Sequence, residues 1–100
     1  MKREVIAEGI NQDGDKYVLC YVRKGKLSVE FVTWVVVSNR NDYCLGHYFS
    51  SIEEGVKDLK ERVDLVNGGE IDWKIPADRW NEAQVALFIE LKKDKSKIGG

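Results

Sequence analysis

Between Arg3 and Phe49 the chain alternates apolar and polar residues in four runs, each cut from the next by a short cluster of turn-forming residues. A period of two sends successive side chains to opposite sides of an extended backbone. The pattern therefore restricts the first half to antiparallel strands joined by hairpins. Arg3 to Ile10 reads as a first strand and Asn11-Gln12-Asp13-Gly14-Asp15 as its turn. Lys16 to Arg23 places Tyr17, Leu19 and Tyr21 on one face and Val18, Cys20 and Val22 on the other. With both faces largely apolar, it suits a central position. Lys24-Gly25-Lys26 then turns the chain into Leu27 to Ser38, the run richest in β-branched and aromatic residues. Leu27, Val29, Phe31, Val35 and Val37 share one of its faces, and Val32, Trp34 and Val36 the other. After Asn39-Arg40-Asn41-Asp42 comes a fourth strand, Tyr43 to Phe49, with Gly46 in its interior.

At Ser51 the period changes. Ser51-Ile52-Glu53-Glu54 has the form of a capping box, in which the serine oxygen accepts from the amide of residue 54. Ile52, Val56, Leu59, Val63 and Val66 follow at helical spacing as one apolar stripe. Asn67-Gly68-Gly69 reads as the stop, because glycine accepts the left-handed conformation past a helix end. Gly55 within this helix predicts close packing against the sheet. Pro76, Ala77, Trp80, Ala83, Gln84, Leu87 and Leu91 fit a second helix running to Lys92-Lys93. The alternation of Val85, Leu87, Ile89 and Leu91 equally fits a short helix followed by a fifth strand, so residues 84–92 stay open between the two.

The expected fold is thus α+β: a four-stranded antiparallel meander with an amphipathic helix on one face, and a C-terminal helix or a short helix plus a fifth strand beside it. Residues 1–93 form one domain and 94–100 a mobile tail. Val29, Phe31, Val35, Val56, Leu59 and Val63 are the expected core, with Trp80 closing its edge and Trp73 left unassigned. At 100 residues, 43% hydrophobic and 33% charged, the composition is that of an ordinary globular chain. No run reaches the ~20 apolar residues that span a bilayer, and the opening Met1-Lys2-Arg3-Glu4-Val5 lacks the apolar stretch of a secretory leader. The reading is a cytoplasmic protein with Cys20 and Cys44 as free thiols inside apolar runs.

Chemistry-bearing motifs are sparse. His47 is the one histidine. Cys44 lies three residues away, a separation that on a regular strand puts the two side chains on opposite faces. Neither Cys-x-x-Cys nor His-x-x-x-His spacing occurs, Asn11–Asp15 lacks the glycine and glutamate positions of a calcium loop, and no glycine-rich loop opens a helix. The expectation is a non-enzymatic chain with no catalytic residues, no metal and no cofactor.

Charge is more informative. The net charge of −1 does not suit a generally basic nucleic-acid binder, yet its distribution is uneven. Lys16 to Arg40 holds five basic residues against Glu30, whereas Ser51 to Glu70 holds six acidic against three basic. Glu54, Asp58 and Glu61 are neighbours on a helix, where like charges repel, and read as an acidic strip for a protein partner with a basic surface. Arg23, Lys24, Lys26 and Arg40, with Tyr21, Trp34 or Tyr48 on a sheet face, read alternatively as a single-stranded nucleic-acid platform.

Phe31-Val32-Thr33-Trp34, Gly46-His47-Tyr48-Phe49 and the set Glu54, Asp58-Leu59 and Glu61-Arg62 together resemble small uncharacterised proteins of phages and mobile elements of Gram-positive bacteria. The resemblance implies an accessory factor, and some such proteins bind and block host defence enzymes. It transfers no catalytic residue. The expected function is a protein-binding accessory module, an inhibitor of a host nucleic-acid enzyme being the specific form, with single-stranded nucleic-acid binding as the alternative.

Overall fold

The structure is a computed structural model that describes residues 2–23, 29–37, 42–75, 77–79 and 82. Strands β1 (Lys2–Ile10), β2 (Lys16–Arg23), β3 (Val29–Val37) and β4 (Asp42–Phe49) are followed by helix α1 (Ile52–Arg62), a 3-10 turn (Leu65–Asn67), strand β5 (Glu70–Trp73) and a second 3-10 turn (Ala77–Arg79). All strand pairings are antiparallel, in the order β4-β3-β2-β1-β5. The expected α+β meander with its packed helix is present, and α1 lies across β2, β3 and β4. A fifth strand is present at Glu70–Trp73, where acidic Glu70 and Asp72 alternate with apolar Ile71 and Trp73, and it closes onto the far edge of the sheet beside β1. Where the expected C-terminal helix should open, the described residues Ala77–Arg79 form a 3-10 turn; the rest of that helix, the choice for 84–92, Trp80 and the 94–100 tail lie outside the described residues.

Local chemistry explains the turns. Asn11 Oδ1 accepts from the amides of Asp13 and Asp15 at 3.0 and 2.8 Å, and Gly14 takes a φ of 89°, where only glycine is unstrained. Ser51 Oγ accepts from the Glu54 amide at 3.3 Å, as the capping box requires. The helix ends earlier than its apolar stripe. Asp64 turns left-handed, with a φ of 53°, and its carboxylate accepts from Asn67 Nδ2 at 2.9 Å. A residue in the left-handed conformation cannot continue a right-handed helix. Val66, expected on the buried stripe, is consequently 96% exposed, while Gly68 and Gly69 close the turn after the helix rather than the helix itself.

The core lies between α1 and the sheet: Ile6, Ala7, Leu19, Tyr21 and Phe31 from the strands meet Ile52, Val56, Leu59 and Val63. Val29 and Val35 are half-buried, and Trp73 packs at the margin. The close approach expected at Gly55 is present: a Cβ there would stand 2.8 Å from Leu19 Cδ1 and 3.4 Å from Phe31 Cβ.

The opposite face of the sheet is concave. The Arg3 guanidinium on β1 lies 4.3 Å from the Tyr43 ring centroid on β4. In a flat sheet these strands would be three spacings, about 14 Å, apart, further than an arginine side chain reaches. Coiling of the twisted sheet brings them together.

Candidate functional site

The feature that organises the surface of this molecule is a bulge in edge strand β4. Thr33 of β3 pairs with His47 and Val35 with Cys44, so Leu45 and Gly46 together oppose Trp34. One residue in excess of the ladder bends a strand and shifts its side-chain alternation by one. His47 and Cys44, expected on opposite faces, therefore both fall on the face of Thr33 and Val35, under α1. Tyr43 and Tyr48 fall on the concave face with Trp34.

The bulge has an unusual distribution of residues. Leu45 carries the left-handed conformation, with a φ of 52°, and its side chain is 73% exposed. A non-glycine residue there costs about 1–3 kcal/mol. The neighbouring glycine does not take that position because Gly46 is needed for space: a Cβ on it would stand 2.6 Å from Trp34 Nε1. Glycine inside a strand is the one sequence signal of such a bulge.

A polar bracket from α1 holds the bulge from beneath. Arg62 Nη2 donates to the Leu45 carbonyl, and Arg62 Nε lies 3.5 Å from Asp58 Oδ2. Asp58 also accepts from the buried Thr33 hydroxyl, and His47 Nδ1 lies 3.0 Å from its Oδ2 and 3.2 Å from its Oδ1. An ionised carboxylate only accepts, so Nδ1 carries the hydrogen and Nε2 points away from the bracket. Asp58 and Arg62 are largely buried, with side chains 15% and 11% exposed. Arg62 Nη1 is buried with no hydrogen-bond partner among the described residues, and the guanidinium lies 5.8 Å from the Tyr17 ring.

This placement divides the anticipated acidic strip. Glu54 and Glu61 are exposed on α1, but Asp58 turns inward and its charge is met by Arg62. Glu53 adds to the exposed acids and Lys57 and Lys60 interrupt them, so the outer face of α1 is mixed. The helical spacing of Gly55, Asp58 and Arg62 along one flank of the stripe was the available sign that Asp58 faces the sheet.

An aspartate-oriented histidine with an outward Nε2 has the form of a general base. Among the described residues no hydrogen bond joins Cys44 to His47, and no group of three metal-ligating side chains occurs. Both cysteines are free; Cys20 is fully buried, and burial pushes its thiol up to about 12.

On the concave face, Trp34 stacks on Tyr43 at 5.5 Å and meets Tyr48 edge-on at 6.3 Å, with Arg3 over both Tyr43 and Trp34. Burial, more than any neighbouring charge, raises the Tyr43 hydroxyl above its ordinary value. Tyr48 is 58% exposed. Tyr21, considered above as a stacking residue, is buried against α1 and offers no ring to solvent. Of the basic set, Arg23 ends β2 opposite Lys2 and Val29, and Lys24, Lys26 and Arg40 lie outside the described residues.

No helix among the described residues is long and apolar enough to cross a membrane. Comparison of the chain with protein-family models, curated proteins and solved structures finds no match.

Proposed function

We propose that this chain is a non-enzymatic, protein-binding accessory module whose contact surface is the bulged edge strand β4. The observation that carries the reading is Leu45: a bulky apolar side chain, 73% exposed, held in a strained backbone conformation by a mostly buried arginine. Strain of this kind persists only where the surroundings over-determine it, and such positions cluster at ligand clamps and switch regions. Three residues further along β4 stands Tyr48, which meets Trp34 edge-on, with Tyr43 and Arg3 stacked beyond. Tyrosine, tryptophan and arginine on a rigid support are the residue types that dominate binding energy at protein interfaces. The bulge also interrupts the edge that β4 forms among the described residues, which disfavours indiscriminate strand addition and favours recognition through side chains. Glu53, Glu54 and Glu61 are exposed on α1 and suit a partner that is basic at its rim. A host nucleic-acid enzyme fits that description, and the resemblance, which implies that some such proteins block host defence enzymes, supports it.

Single-stranded nucleic-acid binding is the second reading, favoured by the same rings: Tyr48 and the Trp34–Tyr43 pair beside Arg3 form a stacking surface with a cation. Affinity capture from a bacterial lysate, with and without nuclease, separates the two. The protein reading expects a nuclease-resistant partner that is lost with Leu45→Gly/Tyr48→Ala and kept with Glu54→Lys/Glu61→Lys. Loss only with the glutamate variant transfers the contact to α1. Disappearance on nuclease treatment, with affinity falling steeply in salt, establishes the nucleic-acid reading instead.

A further inference from the structure

The concave face holds a second feature that the β4 surface does not use. Two cross-strand rows run side by side over it. One passes from Tyr43 through Val36, Lys16 and Ile10 to Glu70, and the next from Trp34 through Val18 and Glu8 to Asp72. Between them opens a cavity of about 580 Å³. That volume lies within the ~300–1,000 Å³ of small-molecule sites.

Its two walls differ in chemistry. On β2, β3 and β4 the lining is apolar and aromatic, from Val18, Val36 and Tyr43. Towards β1 and β5 it is acidic, from Glu8, Glu70 and Asp72, with Lys16 between the walls. Glu8 and Asp72 stand directly opposite each other on paired strands, a placement of like charges that weakens strand pairing. Lys74 offsets part of this repulsion, lying 2.8 Å from Asp72 and 3.9 Å from Glu8. It makes no such contact with Glu70. Three carboxylates against Lys16 and Lys74 still leave an excess of one negative charge beside the open cavity.

From this juxtaposition we infer that the cavity binds a small organic cation, a primary amine carrying a short apolar or aromatic body. The body lies on Val18, Val36 and the edge of Tyr43, whose ring face Arg3 already covers. The ammonium reaches the carboxylates of Glu8, Glu70 and Asp72. Val18 and Glu8 are adjacent across the β1–β2 ladder, and strand neighbours lie about 4.8 Å apart. A two-carbon link between ring and ammonium spans that step. The inference does not depend on the β4 surface, since neither Leu45 nor Tyr48 lines the cavity.

The test is titration of the full chain with 2-phenylethylamine, followed by amide chemical shifts, with 2-phenylethanol and 3-phenylpropionate as neutral and anionic counterparts. The amine is expected to bind about tenfold or more tightly than the alcohol, a difference of about 1.4 kcal/mol, with shifts centred on Glu8, Val18 and Val36. Glu8→Gln/Asp72→Asn should remove that preference and leave alcohol binding unchanged. The same variant is expected to fold, because Glu8, Asp72 and their Lys74 contacts are exposed and the loss of those contacts is offset by removal of a like-charge pair. Equal affinity for amine and alcohol, preference for the carboxylate, shifts centred elsewhere or no saturable binding would each overturn the proposal. A partner captured through β4 bears on none of these outcomes.

Discussion

The two faces of the sheet are built on different principles. Under α1, nearly every contributing residue is apolar and fully enclosed: Leu19, Ile52, Leu59 and Val63 are 0–1% exposed, and Thr33 is the buried polar exception. The concave face mixes buried Val18, Cys20 and Val32 with a half-buried tryptophan, an exposed tyrosine, a guanidinium over aromatic rings and opposed carboxylates. Burial on the first face follows from sequence period, because each strand or helix presents one stripe to its neighbour. Burial on the second follows from the curvature of the whole sheet. The helix face sets stability, whereas the concave face and the β4 edge hold the exposed aromatic ring and the strained leucine, and are the surfaces proposed for recognition.

The largest effect should come from breaking the helix face. Leu59→Ala removes a side chain with no solvent exposure at the centre of the α1–sheet contact and should cost about 2–5 kcal/mol. Tyr48→Ala, at 58% exposure, should cost far less. Urea unfolding of both variants measures the contrast. Comparable losses at the two positions would mean that the concave face contributes to stability as much as the helix face does, and the division would fail.

An intermediate effect should come from the bracket that connects the two regions. Arg62→Met keeps much of the side chain's length but leaves the Leu45 carbonyl and the Asp58 carboxylate without their guanidinium. Loss of partners to buried polar groups costs about 1–3 kcal/mol. Because the carbonyl belongs to the bulge, the variant should also broaden or move the amide signals of residues 44–48, a local signature that a uniform loss of packing does not give. A stability change below about 0.5 kcal/mol, with those signals unmoved, would show that the bulge holds itself without α1.

Legibility followed the same division. Period-two alternation located β1 to β4, and the serine cap with its apolar stripe located α1, because these signals are local. The core positions Phe31, Val56, Leu59 and Val63 follow from the same stripes. Gly55 betrayed its close approach because glycine in a helix interior has no local advantage. What escaped was whatever depends on register. The excess residue at Leu45 reverses the facing of everything after it, so His47 joined Cys44 on the helix face although alternation put them apart. Asp58 looked like one acid among several until Thr33, 25 residues earlier in the chain, was found beneath it. Val66 kept helical spacing, but Asp64 had already ended the helix through a left-handed turn that no period registers. β5 is four residues long, too short for its alternation to stand out between two turns.

The smallest effect has the opposite sign, and it sharpens the comparison most. Leu45→Gly replaces a leucine at a φ of 52° with the one residue that adopts this conformation freely. The leucine side chain is 73% exposed, so little burial is lost with it. On the helix face, deletion of three carbons destabilises; here, where four are deleted, relief of the left-handed strain should outweigh both the lost contact and the added freedom of glycine in the unfolded chain. The net change expected is a stabilisation of up to about 1 kcal/mol, read as a higher urea midpoint with an unchanged slope. A residue whose removal improves the fold is held there by something other than the fold. Should Leu45→Gly instead destabilise by as much as a core truncation, Leu45 would belong to the structural half of the molecule, and the β4 bulge would lose its claim as the recognition surface.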